Sequence, residues 1–264
     1  MSSSYGAGAT SALVKEFHLT KPDIVITGSG GAGTMAYFVA GQYDLITKIW
    51  TNLLSTRKFI NPIRFWRVMD VDYLIDNVFK KQASLDVGKV SSSNIKYLIS
   101  ATNLRTGKIE YFSNNNHDDI FEALRATKAV PIIFNKKIMI QGEKYCDTSL
   151  SAEVGSHVMK AVEMGATDIL VIDTINDNHL AGSIFHVWFF FRNKLFRKNY
   201  VEQKRKVKVF TVPRGINIIT LSPSRRLQAR NLNNNKKALI DNMKLGYRDC
   251  KNSIDVKEPL SNPK

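Results

Sequence analysis

Cysteine is nearly absent. The two that occur, Cys146 and Cys250, form no C-x-x-C pair, which excludes a disulfide framework or a thiolate metal site as the organising device. Histidine is scarce too: His18, His117, His157, His179 and His186 are the full set, and none follows position 186. No eighteen apolar residues run together, which excludes a conventional transmembrane helix. The opening stretch "MSSSYGAGATSALVKEF" has no charged start followed by a continuous apolar run, so it does not read as a secretory signal, and a cytoplasmic chain is expected. Acidic residues are in the minority, 23 against 38 Lys and Arg. The resulting net charge of +15 turns any partner toward negative surfaces: nucleic acid, anionic lipid or acidic protein.

What is present supports one core. Apolar residues make up 44% of the 264 positions, and runs rich in β-branched residues recur between stretches of helical period, the pattern of an α/β layer fold. Strands are expected at 23–26, 95–102, 108–112, 132–134, 138–140, 168–173 and 217–221. Helices are expected at 10–17, 33–51, 70–79, 118–127, 153–163 and 235–246, with Asp70 and Asp118 as N-caps and Gly165 and Gly246 as stops. A single domain over residues 1–250 and a loose tail over 251–264 complete the expectation.

The stretch "DIVITGSGGAGT", residues 23–34, admits two chemistries. As G-x-G-x-x-G it is a phosphate-cradling turn, but a dinucleotide site also wants a second strand ending in Asp or Glu about twenty residues on. The region in question, "TKIWTNLLSTRKFINP", is basic and has helical period. As a strand-to-helix turn it presents Ser29 as an acyl-transfer nucleophile, with Gly28, Gly30, Gly31 and Ala32 leaving room for a substrate carbonyl. A helix beginning just beyond would aim its positive end at the developing oxyanion.

Serine needs a base. His157 and His186 follow Asp147 in the chain and could formally complete a Ser-Asp-His order, yet the first falls in an expected helix and the second in an apolar run. The alternative is a carboxylate acting directly. "MIQGEKYCDTSLS" puts Asp147 just after an apolar strand and a glycine turn, where site loops gather.

Four segments together resemble the patatin family of lipid acyl hydrolases: "KPDIVITGSGGAG", "ATNLRTGKIEYFS", "EALRATKAVPIIFNKKIMIQGEKYCD" and "GATDILVID". The resemblance implies a three-layer α/β/α sandwich with a central, mostly parallel sheet. It also implies a Ser29–Asp147 dyad that cleaves carboxylic esters of phospholipids or related lipids through an acyl-enzyme, without metal or cofactor. The family's N-terminal glycine-rich oxyanion loop is matched here by "SSSYG", placing Ser2 and Ser3 beside Gly28, Gly30 and Gly31. Thr27 stands at the first glycine of the nucleophile turn, and Thr148 and Ser149 follow the aspartate where small residues are usual. A catalytically impaired lipid- or protein-binding relative is therefore the second reading, and a dinucleotide-binding oxidoreductase the third.

"IFHVWFFFRNKLFRKNYVEQKRKVKVF", residues 184–210, joins aromatics to a dense basic set. Trp188, Phe189, Phe190, Arg192, Lys194, Arg197 and Lys198 are the candidate contacts to an anionic membrane surface, rings at headgroup level and cations on phosphates. No recognised nucleic-acid module accompanies the charge, which disfavours nucleic acid as the partner.

Overall fold

A computed structural model describes the chain apart from residues 66, 117, 135, 149–151, 175–188, 190, 231 and 262–264. Its organising strand is β2 (Lys96–Asn103), buried from Tyr97 onward. β1 (Ile24–Thr27) runs parallel to it, Ile24 opposite Lys96 and Thr27 opposite Ile99. β3 (Ile109–Ser113) pairs antiparallel along the other edge, from Leu98 opposite Ser113 to Thr102 opposite Ile109. β5 (Glu143–Cys146) joins the end of β2 antiparallel, with Cys146 opposite Thr102, and β4 (Ile138–Ile140) pairs with β5.

This register decides where the site forms. Ile99 faces both Thr27 and Phe112, and Thr102 faces both Cys146 and Ile109. Since β3 takes one edge, β1 and β5 share the other. The two strands run toward each other along it, and their last residues are separated only by the width of Ser100 and Ala101.

β6 (Asp168–Ile172) and β7 (Asn217–Leu221) form a separate parallel pair. The α/β class is as expected, and the parallel pairs are β1–β2 and β6–β7; the remaining pairs are antiparallel, so the sheet is mixed. Residues of β1 and β6 border one cavity, and α6 (Val154–Glu163) packs on both strands.

The helices depart from expectation in ways that have local causes. The first, α1 (Ser4–Phe17), starts well before Thr10. The expected helix over 33–51 is broken at Gly41, whose φ of +69° ends α2 (Ser29–Val39) and lets α3 (Tyr43–Lys48) start in a new direction. Asp70 does cap the next helical segment by accepting from the Tyr73 N–H, and that segment is π-wound over Tyr73–Gln82. After α4 (Val87–Ser91), the cap of α5 (Ile120–Ala126) is Asp119 rather than Asp118, which instead accepts from the Ser113 N–H. Residues 132–134, expected as a strand, form a turn after Pro131 with Ile132 at φ +77°, while β5 and α7 (Lys194–Val209) were not expected. Of the residues read as a tail, Ile254–Ser261 form a helix, α9, that buries Val256.

Gly246 does not stop its helix. α8 runs through it from Lys236 to Asn252, because the glycine serves packing. A Cβ at Gly246 would lie 2.0 Å from the Tyr5 carbonyl oxygen, and one at Gly8 would lie 1.9 Å from that of Met243. α1 and α8 thus meet backbone to backbone around a small core of Tyr5, Ala9, Leu221 and Leu245, while a larger core gathers around β2, α2 and α5. Gly246→Val is expected to destabilise the protein by about 1–3 kcal/mol or more in urea unfolding, since neither backbone can yield. A variant as stable as the parent would contradict this packing.

Candidate active site

β1 ends in a turn built from residues that tolerate no bulk. Gly28, extended at φ −153° and ψ 172°, caps α2, and a Cβ on it would lie 2.2 Å from Thr148 Cγ2 and 2.6 Å from Ser100 Oγ. A Cβ on Gly30 would lie 2.2 Å from Ser3 Oγ, and one on Gly31 2.9 Å from Thr27 Oγ1. Thr27 remains within β1, and the left-handed residue of the turn is Ser29, whose φ is +48°. A left-handed serine costs on the order of 1–3 kcal/mol and persists only where its surroundings impose it.

Those surroundings are specific. The Ser29 N–H donates to Thr127 Oγ1 at 2.7 Å, and Lys128 Nζ donates to the Ser29 carbonyl oxygen at 2.5 Å. Both partners lie just past α5. That helix is anchored through buried Arg125, which bonds Asp76 at 2.8 Å and Glu122 at 3.0 Å, and also Asp72. Neither Thr127 nor Lys128 was marked as a site residue by the sequence, which offers only an unremarkable "ATKAVP" there.

With its backbone held, Ser29 directs Oγ to Asp147 Oδ2 at 2.9 Å. Asp147 is fully buried. Its N–H donates to the Ala129 carbonyl at 3.0 Å, and its own carbonyl accepts from Thr102 Oγ1 at 2.9 Å, so the backbone bearing the carboxylate is fixed from both sides. Burial and Asp147 both push the neighbouring Cys146 thiol well above its usual range, which keeps it neutral. Burial lowers the Lys128 ammonium to about 7, and the field of Asp147 acts against that fall.

Behind the turn lies a second polar chain. Thr148 Oγ1 donates to Ser100 Oγ at 2.9 Å, and Ser100 Oγ donates to the Thr27 carbonyl at 3.1 Å. With its single proton so used, Ser100 accepts from His157 Nε2 at 3.0 Å, which assigns the Nε2–H tautomer. Burial holds His157 down to about 4, a neutral imidazole near pH 7. His157 therefore bonds Ser100 and supports the turn from behind. His18 terminates α1 at φ 53°, and positions 117, 179 and 186 lie outside the described residues.

For the oxyanion, the first turn of α2 offers the Gly30 N–H, while the Gly31 N–H bonds the Gly28 carbonyl at 3.2 Å. The "SSSYG" stretch is a turn at Ser2 and Ser3 running into the start of α1 rather than a glycine-rich loop: the Tyr5 N–H bonds the Ser2 carbonyl, the Ala7 N–H bonds that of Ser3, and Ser3 lies against Gly30. Ser2 and Ser3 border the same cavity as Ser29 and Asp147. That cavity holds about 1640 Å³ and is walled largely by apolar side chains, among them Met35, Phe38, Trp50 and Leu74.

Of the expected membrane contacts, Lys194 and Lys198 are exposed on α7, and Arg192 and Arg197 are half-buried. Phe189 turns inward, its ring 4.7 Å from that of Tyr200 and 6.1 Å from that of Phe196, while Phe191 is exposed. Positions 188 and 190 lie outside the described residues.

No family model matches the chain. It is similar to the uncharacterized protein YjjU of Escherichia coli, 23% identical over 158 residues, a match that covers 58% of this chain and 43% of that protein. The chain thus spans less than half the length of this relative.

Because the His157 pKa is lower in the fold than in an unfolded chain, the folded state resists taking up a proton between about pH 6.5 and 4. Its contribution to stability is complete above that window and is lost as the pH falls through it. Denaturant titrations at pH 7 and 4.5 should show His157→Gln losing less stability on acidification than the parent, by on the order of 2 kcal/mol. Equal losses would contradict the assignment.

Proposed function

We propose that the chain is a carboxylic ester hydrolase of patatin-like design acting on phospholipids or related acyl lipids. The observation that carries this is the 2.9 Å hydrogen bond from Ser29 Oγ to a buried carboxylate, made by a serine held at φ +48° at the start of a helix. In this reading Asp147 takes the hydroxyl proton as Ser29 Oγ bonds to the ester carbonyl carbon, and the Gly30 N–H receives the charge on the carbonyl oxygen. Collapse of the tetrahedral adduct expels the alcohol, which regains the proton from Asp147. Water, deprotonated by the same carboxylate, then releases the acid and restores the serine. The large apolar cavity suits an acyl chain. The two cores, one around β2 and α2 and one around α1 and α8, are what support a layered sandwich.

Two competing readings meet specific obstacles. The region where a dinucleotide fold would place its second strand and acidic residue is helical, over Tyr43–Lys48 and a π-turn at Ile49–Leu53. A binding-only relative is favoured by the turn at Ser2 and Ser3 leading straight into α1, which supplies no glycine-rich oxyanion loop. With p-nitrophenyl acyl esters, Ser29→Ala should fall to the uncatalysed rate and Asp147→Asn should lose about 10²- to 10⁴-fold in kcat. Equal rates for parent and Ser29→Ala would leave the binding-only reading.

For the partner surface, we infer that α7 meets anionic lipid. Lys194, Lys198, Arg205, Lys206 and Lys208 are exposed on it beside exposed Leu195, Val201 and Val209, while Tyr200 and Lys204 border the cavity. No helix among the described residues is long and apolar enough to cross a membrane. Co-sedimentation should favour vesicles containing phosphatidylserine over neutral ones, and Lys194→Glu with Lys198→Glu should weaken it roughly tenfold. Equal binding to both vesicle types would contradict an electrostatic surface.

A further inference from the structure

Lys128 is a buried cation that the hydrolytic scheme does not use. Its ammonium nitrogen donates to the backbone carbonyl of Ser29, its stem passes α2 with Cε 3.8 Å from where a Cβ on Gly33 would sit, and it borders the cavity. The residue is 6% exposed. A lysine desolvated to this degree carries a cost that a merely structural contact could avoid with an apolar side chain.

We propose that Lys128 is a positioning residue of the Ser29–Asp147 dyad: as the ammonium, it clamps the Ser29 carbonyl and so holds the left-handed nucleophile, and its charge keeps Asp147 in the ionised form that accepts the proton. The inference rests on the hydrolase reading above and adds a third member to the pair.

The geometry supports both halves. Ser29 is gripped at its N–H by Thr127 and at its C=O by Lys128, so two consecutive residues after α5 fix both polar backbone atoms of one strained residue. Releasing either grip lets φ relax, and Oγ then leaves the line to Asp147. The charge coupling is reciprocal. The field of Asp147 raises the affinity of Lys128 for its proton, so the ammonium must lower that of Asp147 by the same free energy. Asp147 is the charged group whose field reaches Lys128. Arg125 of α5 is committed to Asp72, Asp76 and Glu122, and neutral His157 lies across the turn on Ser100. At this site the lysine thus loses its proton near neutrality, which makes its charge state part of the working range.

The test compares parent, Lys128→Met and Lys128→Arg for p-nitrophenyl ester hydrolysis across pH 5–9, with Ser29→Ala as the blank. Lys128→Met should lower kcat about 10- to 100-fold with little change in KM, and move the acid limb of the profile up by about one pH unit. Lys128→Arg, which keeps the charge and a donor, should recover most of the rate and restore the limb. A Lys128→Met enzyme with the parent's kcat and acid limb overturns the proposal while leaving the hydrolase reading intact. Should parent and Ser29→Ala be equally inactive, the hydrolase reading fails, and ¹⁵N-lysine NMR on the parent and on Asp147→Asn decides the clamp independently. A Lys128 Nζ titrating near 7, and lower still in Asp147→Asn, supports the coupling; titration in the ordinary lysine range in both proteins refutes it.

Discussion

One edge of one strand brings the chemistry together. β1 and β5 approach from opposite directions along β2, and the chain leaving each reaches the same few ångströms of space beside Ser100. That is why a hydroxyl and a carboxylate 118 positions apart share a hydrogen bond. Thr102 and Ala129 fix the backbone of Asp147, Thr127 and Lys128 fix that of Ser29, and the Thr148–Ser100–His157 chain fills the space behind Gly28. Each of these groups would be costly to bury alone; as a network they are mutually satisfied.

The arrangement also explains which residues are small. Gly28, Gly30 and Gly31 are not needed for φ, since the left-handed residue is Ser29 itself; they are needed because Thr148, Ser100, Ser3 and Thr27 crowd the turn. A similar economy of bulk joins α1 to α8 through Gly8 and Gly246. Strain at Ser29 is thus held by tertiary contacts from Thr127, Lys128 and Asp147, so it responds to substitutions far from Ser29 in sequence.

Much of this is legible in the sequence. β-branched runs mark β1, β2, β3, β4, β6 and β7 within a residue or two, because buried strands leave a strong signature in composition. That Ser29 and Asp147 meet is legible through the resemblance to a Ser-Asp dyad family, which joins a glycine-dense turn after one strand to an acid after an apolar segment. The failures have physical causes. β5 reads as polar, "EKYC", because it is short and meets β2 only at Cys146 and Tyr145. Gly246 resembled a helix stop because a glycine required for close packing carries no different sequence mark from one required for φ. Thr127 and Lys128 left no signal, since their roles depend on which loop they face. Phe189 and Phe191 belong to the same aromatic run, and only packing on Tyr200 and Phe196 separates the inward ring from the outward one.

A buried acid bonded to a strained hydroxyl beside an apolar cavity of about 1640 Å³ is the arrangement on which the proposed ester hydrolysis rests. The most direct measurement is covalent trapping. Incubation with an alkyl fluorophosphonate followed by peptide mass spectrometry should place one phosphonyl group on Ser29 in the parent and none on that peptide in Asp147→Asn. Modification at another serine, or equal labelling of Ser29 when the carboxylate has been removed, would contradict a nucleophile activated by Asp147.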